Sequence, residues 1–276
     1  MNAAMMRAAM LAIPPRRRFL LTALCCALLG TACGGSGGSA AAPAGDGNPT
    51  ATTADITVLM MGNSHTSVAE LPQQLGTMLR AGLPGKTVAV VVAPGWMYLE
   101  DHVSDPTTMG LLHSRNWAAV VLQAQKYSTS GLYSYSTAGA VTLVQDARRQ
   151  KALPVMFPEW PRLGVDETQR IYDLHVSIAL QQPACVAPIG QAWDLARQRH
   201  PELRLHDSDG NHAAVPGAYL TALVLYASIT GASPRALPDQ DNGVAPAVQQ
   251  QLRQVAADTL QAVSARKHCP DDRPLR

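Results

Sequence analysis

Ile56-Thr57-Val58-Leu59-Met60-Met61-Gly62-Asn63-Ser64 is the stretch whose reading decides the fold. An unbroken apolar and β-branched run, ended by a glycine and two small polar residues, reads as a buried strand entering a turn. The pattern recurs downstream. Thr87 to Ala93, Ala118 to Gln123, Leu153 to Phe157 and Cys185 to Ile189 are further runs of the same kind. Between them lie segments of helical periodicity. Residues 68–81 place Leu71, Leu75, Met78 and Leu79 on one face, and 137–151, 166–181 and 191–199 continue the alternation. An apolar helix over Ala218 to Thr230, ended by Gly231, and an amphipathic one over 245–267 follow. Continuous apolar strands separated by helices predict a parallel sheet covered on both faces. With right-handed crossovers this is a three-layer α/β/α sandwich of about five strands, one domain over residues 55–276. There is no second core and no internal repeat.

Upstream the composition changes. Arg16-Arg17-Arg18 precedes a fourteen-residue apolar run, Phe19 to Ala32. A bilayer-spanning helix needs about 20 residues, so this run is too short to span. A basic start, a short apolar core and small residues have the order of an export signal, here residues 1–32, and the paired arginines resemble the twin-arginine type. Leu28-Leu29-Gly30-Thr31-Ala32-Cys33 resembles a lipoprotein signal, in which Cys33 would carry the lipid. Acyl chains, at ~0.8 kcal/mol per buried CH2, would hold the protein at a membrane surface. Residues 33–54, rich in Gly, Ala, Ser, Thr and Pro, read as a flexible linker. The expected location is therefore periplasmic or at the cell surface, with membrane contact only through the anchor.

Charge narrows the function. Four arginines and no acid fall in the first 32 residues, so the 22 basic residues drop to 18 against 20 acidic ones once that segment is removed. A near-neutral chain without a basic run is not built to neutralise phosphates, which argues against nucleic acid as a partner. Of five cysteines, Cys25 and Cys26 lie in the signal and Cys33 is the anchor candidate. Cys185 and Cys269 remain, able to pair in an oxidising compartment or to stay as two buried thiols. No cysteine–histidine cluster has zinc spacing, and no metal or cofactor is expected.

In a parallel α/β sheet the site lies beyond the carboxyl ends of the strands. The first run ends in Gly62-Asn63-Ser64-His65, the second in Pro94-Gly95-Trp96, the third in Gln123-Ala124-Gln125, and a late loop reads Asp207-Ser208-Asp209-Gly210-Asn211-His212. A serine at a tight turn, a distant histidine and an aspartate three residues before it can supply nucleophile, base and orienting carboxylate. On these motifs the chain resembles the SGNH (GDSL-like) hydrolase superfamily over residues 56 to about 235. The resemblance implies Ser64 as nucleophile, His212 as general base and Asp209 as the group orienting it. It also implies an oxyanion hole from the Ser64 amide, Gly95 and a third donor. The family usually places Gly-x-Asn-Asp after the third strand. Here Gln123 or Gln125 must fill that role, as in a branch containing some carbohydrate esterases.

Lesser candidates surround these. Trp96, His102 and Trp160 could line the substrate cleft or pack in the core, and His65 could support the site or be merely exposed, in preference to a catalytic role. The Asp-Ser-Asp-Gly-Asn run is not a calcium loop, because such a loop needs Gly at position six and an acid at position twelve, where this one has His212 and Ala218. The function expected is a secreted serine esterase acting on small acyl, above all acetyl, esters of carbohydrate. An acyltransferase with the same triad and a non-catalytic glycan-binding lipoprotein are the alternatives.

Overall fold

The computed structural model describes residues 53–276. The expected export signal, Cys33 and nearly all of the expected linker lie outside the described residues. Five strands form one sheet: β1 (Ile56–Met61), β2 (Val88–Val92), β3 (Ala119–Leu122), β4 (Leu153–Met156) and β5 (Cys185–Val186). All are parallel, in the order β2-β1-β3-β4-β5. Helices cover both faces, which is the α/β sandwich that the strand pattern predicts.

Side chains alternate across a strand, so β1 feeds two cores. Val58 and Met60 join α1 (Leu71–Gly82), α6 (Ile189–Arg199), α7 (Val215–Thr230) and α8 (Pro246–Ala262) on one face. Leu59 and Met61 face α2 (Leu99–Ser104), α3 (Pro106–His113), α4 (Ala138–Arg149) and α5 (Thr168–Gln181) on the other. α7 is apolar all round because it is buried all round, from Gly217 to Thr230, touching α1, α6 and α8. It stops at Gly231, whose φ of 66° suits a residue without a side chain.

Several predicted boundaries move for local reasons. β5 ends at Val186 rather than Ile189, because Pro188 has no N–H to give a ladder and caps α6 instead. α5 starts at Thr168, two residues later than expected. Glu167 stands at the cap position but turns its carboxylate back to the Arg162 amide at 2.9 Å. α8 stops at Ala262. The chain then turns so that the Ala265 carbonyl takes the Val186 N–H at 2.9 Å, and Cys269 forms a disulfide with Cys185. The C-terminal segment thereby covers edge strand β5, whose free edge would otherwise invite pairing. α2 and α3 have no counterpart in the sequence reading. They are six and eight residues long and interrupted by Pro106, too short to show a helical period.

Candidate active site

β1 lies between β2 and β3, so the strand order reverses at its carboxyl end, where α/β sheets hold their ligands. Gly62 and Asn63 follow β1 directly, and Ser64–Thr66 form one turn of 3-10 helix. Asn63 caps that turn. Its side-chain oxygen accepts from the His65 amide at 3.0 Å and from the His65 ring at 3.1 Å, and its carbonyl accepts from the Thr66 hydroxyl at 2.7 Å. The Ser64 amide opens the turn and has no acceptor among the described residues.

The Asp207–His212 loop closes over this turn. Asp207 N–H donates to the His212 carbonyl at 2.8 Å, and His206 pairs with Ala213 in an antiparallel bridge. Two bonds from the β4–α5 loop hold it: Leu163 N–H to the Gly210 carbonyl at 2.8 Å, and the Trp160 indole N–H to the Asn211 carbonyl at 2.8 Å. His212 is thus brought to Ser64 across 148 positions, with Nε2 2.8 Å from the serine Oγ. Its Nδ1 lies 2.5 Å from Asp209 Oδ2, while Asp209 Oδ1 accepts the amides of Asn211 and His212, both at 2.9 Å. Contact with His212, then these two amides, hold the Asp209 carboxyl well below the usual range. A carboxylate fixed in this way keeps the proton of the ring on Nδ1, so Nε2 presents a lone pair to the serine hydroxyl.

Behind His212 lies His65. The two rings are stacked, 5.0 Å apart with 28° between planes, and the far side of His65 meets Trp160 at 4.9 Å. Burial, with His212 nearby, pushes the His65 ring down to about 4, so it stays neutral at working pH. His65 is therefore neither exposed nor a proton carrier. It is a wall that sets the plane of the His212 ring.

The other predicted residues separate into distinct places. Trp160 is in the core, stacked on Trp193 at 4.6 Å, and reaches the site through Asn211 and through the His65 ring. His102 is fully buried beneath the turn, its Nε2 3.1 Å from the Gly62 carbonyl and its Nδ1 3.2 Å from the Thr108 hydroxyl, so it lines no cleft. Trp96 stands in solvent at 71 % exposure, outside the cleft lining. Gly95, φ 77°, occupies the turn after β2, exposed and likewise off the lining. Gln125 spends its two amide hydrogens on the Lys126 and Ser136 carbonyls, at 3.1 and 3.0 Å, and offers no free donor. Gln123 is fully buried, with Oε1 accepting the Asn63 N–H at 2.9 Å and Nε2 donating to Glu159 at 2.7 Å. In this structure it holds the turn from below and does not line the cleft.

The cleft itself, about 480 Å³, opens above Ser64 and His212. His65 and Gln125 line it, and the rest of its walls are residues that motif reasoning missed: Tyr98, Lys126, Tyr127, Thr129, Tyr135, Glu159 and Arg162. Glu159 was open to discovery, since it lies just beyond the end of β4, where polar residues of this fold gather. The tyrosines carried no such signal, because a Tyr/Ser/Thr-rich loop has the composition of any surface loop. The cations are already matched, Lys126 with Glu100 and Arg162 with Glu167. Burial pushes the Glu159 carboxyl up to about 7 and raises the Tyr127 hydroxyl as well. Among the described residues no cluster of side chains is arranged to hold a metal ion.

No protein-family model matches the chain, and no curated protein matches it in sequence. Solved structures do match in fold. A DUF4886 family protein from Bacteroides uniformis is 18% identical, with a TM-score of 0.60 over 75% of this chain and 95% of its own. A proposed SGNH hydrolase from Slackia heliotrinireducens is 23% identical, with a TM-score of 0.52 over 62% of this chain and 97% of its own. At these identities the likeness establishes the fold alone.

Proposed function

We propose that the chain is a serine ester hydrolase that removes short acyl groups from a hydroxylated, carbohydrate-like alcohol. The observation that carries the reading is the unbroken hydrogen-bond line Ser64–His212–Asp209 at the carboxyl end of the sheet. In this reading His212 Nε2 takes the Ser64 proton as Oγ bonds to the ester carbonyl carbon. The oxyanion develops toward the Ser64 amide, and collapse expels the alcohol, which receives the proton from His212. Water then attacks the acyl-serine with the same imidazole as base, which frees the acid and restores Ser64. Among the described residues that line the cleft none is Leu, Ile, Val, Met or Phe. Such walls desolvate a fatty chain poorly and hydrogen-bond a polyol well, which supports a short acyl group and a sugar-like partner.

The test is a series of nitrophenyl esters of rising chain length together with acetylated sugars. The acetate should be turned over much faster than the decanoate. Ser64→Ala should lower kcat by at least ~10³-fold, and a fluorophosphonate should label wild type at Ser64 alone. A decanoate preference, or labelling at another serine, would refute the reading. Export and lipid anchoring at Cys33 belong to the same proposal, and a palmitate analogue should tag wild-type cells but not Cys33→Ala cells.

A further inference from the structure

Glu159 is a carboxylate in the cleft wall that the hydrolytic scheme does not use. Its Oε2 accepts from Gln123 Nε2 at 2.7 Å, and Gln123 Oε1 accepts from the Asn63 amide at 2.9 Å. Asn63 is the cap of the turn that carries Ser64. Three residues from three separate strand ends are thus joined in one line that finishes under the serine. The line also requires Gly62. A β-carbon there would sit 2.3 Å from Gln123 Oε1, so only glycine lets the amide come this close.

The direction of the amide matters. A primary amide has two chemically different ends of nearly equal shape, and nothing in β3 itself selects which faces the turn. An ionised carboxylate can only accept. It therefore captures the N–H2 end and turns the carbonyl end toward the Asn63 N–H. We infer that Glu159 is a positioning residue for the Ser64 turn, acting through Gln123. Substrate need not touch it for this role.

The carboxyl is faced by Gln123 at the end of β3, Tyr127 on the loop after it, Arg162 on its own loop and Glu167 at the start of α5. Burial dominates and Glu167 adds to it, while Gln123 and Arg162 act in the opposite direction, and the group titrates at about 7. Below that pH a protonated Glu159 holds the amide by a weaker, neutral bond, and the Asn63 N–H, which can only donate, is left as the one group that keeps the carbonyl end toward the turn. Above it the bond is charge-assisted and the orientation is enforced.

The kinetic arm of the test rests on the esterase reading. Glu159→Ala should lower kcat on nitrophenyl acetate by about 10- to 100-fold at pH 8.5, the scale of a small misplacement of reacting groups, with KM within ~3-fold. Gln123→Ala should do the same, and the double variant should be no worse than either, because both break one line. Glu159→Gln keeps an acceptor and should rescue most of the loss. The ratio of wild-type to Glu159→Gln kcat should rise from about one at pH 6 to ~3-fold at pH 8.5, a comparison in which the titration of the base cancels. Independently of turnover, hydrogen exchange at the Asn63 amide should speed up at least ~10-fold in Glu159→Ala while melting stays cooperative. A Glu159→Ala enzyme within twofold of wild type overturns the inference. So do losses that multiply in the double variant, or a loss carried by KM, which would make Glu159 a substrate contact. If wild type hydrolyses no ester, the exchange measurement still decides whether the line exists, and the hydrolase reading fails alone.

Discussion

His212 holds one partner at each ring nitrogen, and the chemistry proposed for it depends on which nitrogen keeps the proton. Asp209 decides this with a contact of 2.5 Å to Nδ1. Asp209→Asn keeps the shape but can present an N–H2 to the ring, which then protonates at Nε2 and has no lone pair for Ser64. We expect kcat on nitrophenyl acetate to fall by ~10²–10⁴-fold with little change in KM, while the far-ultraviolet circular dichroism is unchanged. A loss below tenfold would show that Asp209 matters only for the loop. At this scale the sequence exposed Ser64, Asp209 and His212, since a serine turn and a short acid–histidine spacing are local patterns. It left His65 undecided between support and exposure, and it concealed Glu159. Their roles come from a ring stacked across the loop and from a buried amide, and neither contact leaves a spacing to read.

Elements show the same division. The strand runs were legible because parallel strands buried on both faces must be apolar throughout. The short helices α2 and α3 were not, and neither was the crowding around α7. Gly217 in the first turns of α7 packs so closely that a β-carbon would lie 2.3 Å from the Leu205 carbonyl oxygen and 2.6 Å from the Trp193 ring. Leu205 leads directly into the His206–Ala213 bridge that frames the Asp209–His212 loop. By propensity alone Gly217→Ala should stabilise the helix by about 1 kcal/mol. Overpacking against two rigid neighbours costs ~1–3 kcal/mol and should win. We therefore expect a lower urea midpoint together with reduced esterase turnover. A raised midpoint would mean that Leu205 and Trp193 yield without cost.

For the whole molecule, burial ties stability to pH. His65 and His175 are buried and held at about 4, against 6.5 for a free imidazole, in both cases through burial. His175 Nδ1 bonds the Ile171 carbonyl at 2.8 Å, and its Nε2 has no hydrogen-bond partner among the described residues. Between pH 6.5 and 4 the unfolded chain binds these protons and the folded one does not, so stability falls as the pH drops through that window. Glu159 acts in the opposite sense. Folded at about 7 and free at 4.5, it gives the native state the extra proton between those values, so its contribution falls as the pH rises. These two histidines against the one carboxyl account for a net loss of roughly one proton, about 1.4 kcal/mol per pH unit, on acidification from 6.5 to 4.5, and His102, His206 and His268, also lowered by burial, act in the same direction. Urea unfolding across that range should show it, and Glu159→Gln should steepen the slope while raising stability above pH 7. A flat profile would mean that water reaches these rings in the folded state.

What the sequence by itself determined is the order of apolar strands and helices, hence the sheet type, and a small set of candidate residues at one strand end and in one late loop. Both follow from local rules: side-chain periodicity, the chemistry of turns, and the position of sites at the carboxyl edge of a parallel sheet. It did not determine that Cys185 and Cys269, the two cysteines among the described residues, join, since their 84-residue separation says nothing of distance. Tertiary structure alone decided that Gln123 faces the turn and not the cleft, that His102 and Trp160 lie in the interior, and that tyrosines of two loops form the walls. These outcomes depend on which groups compete for the same few ångströms of buried space. An amide of either orientation, or a tryptophan inside or outside, has the same signature along the chain.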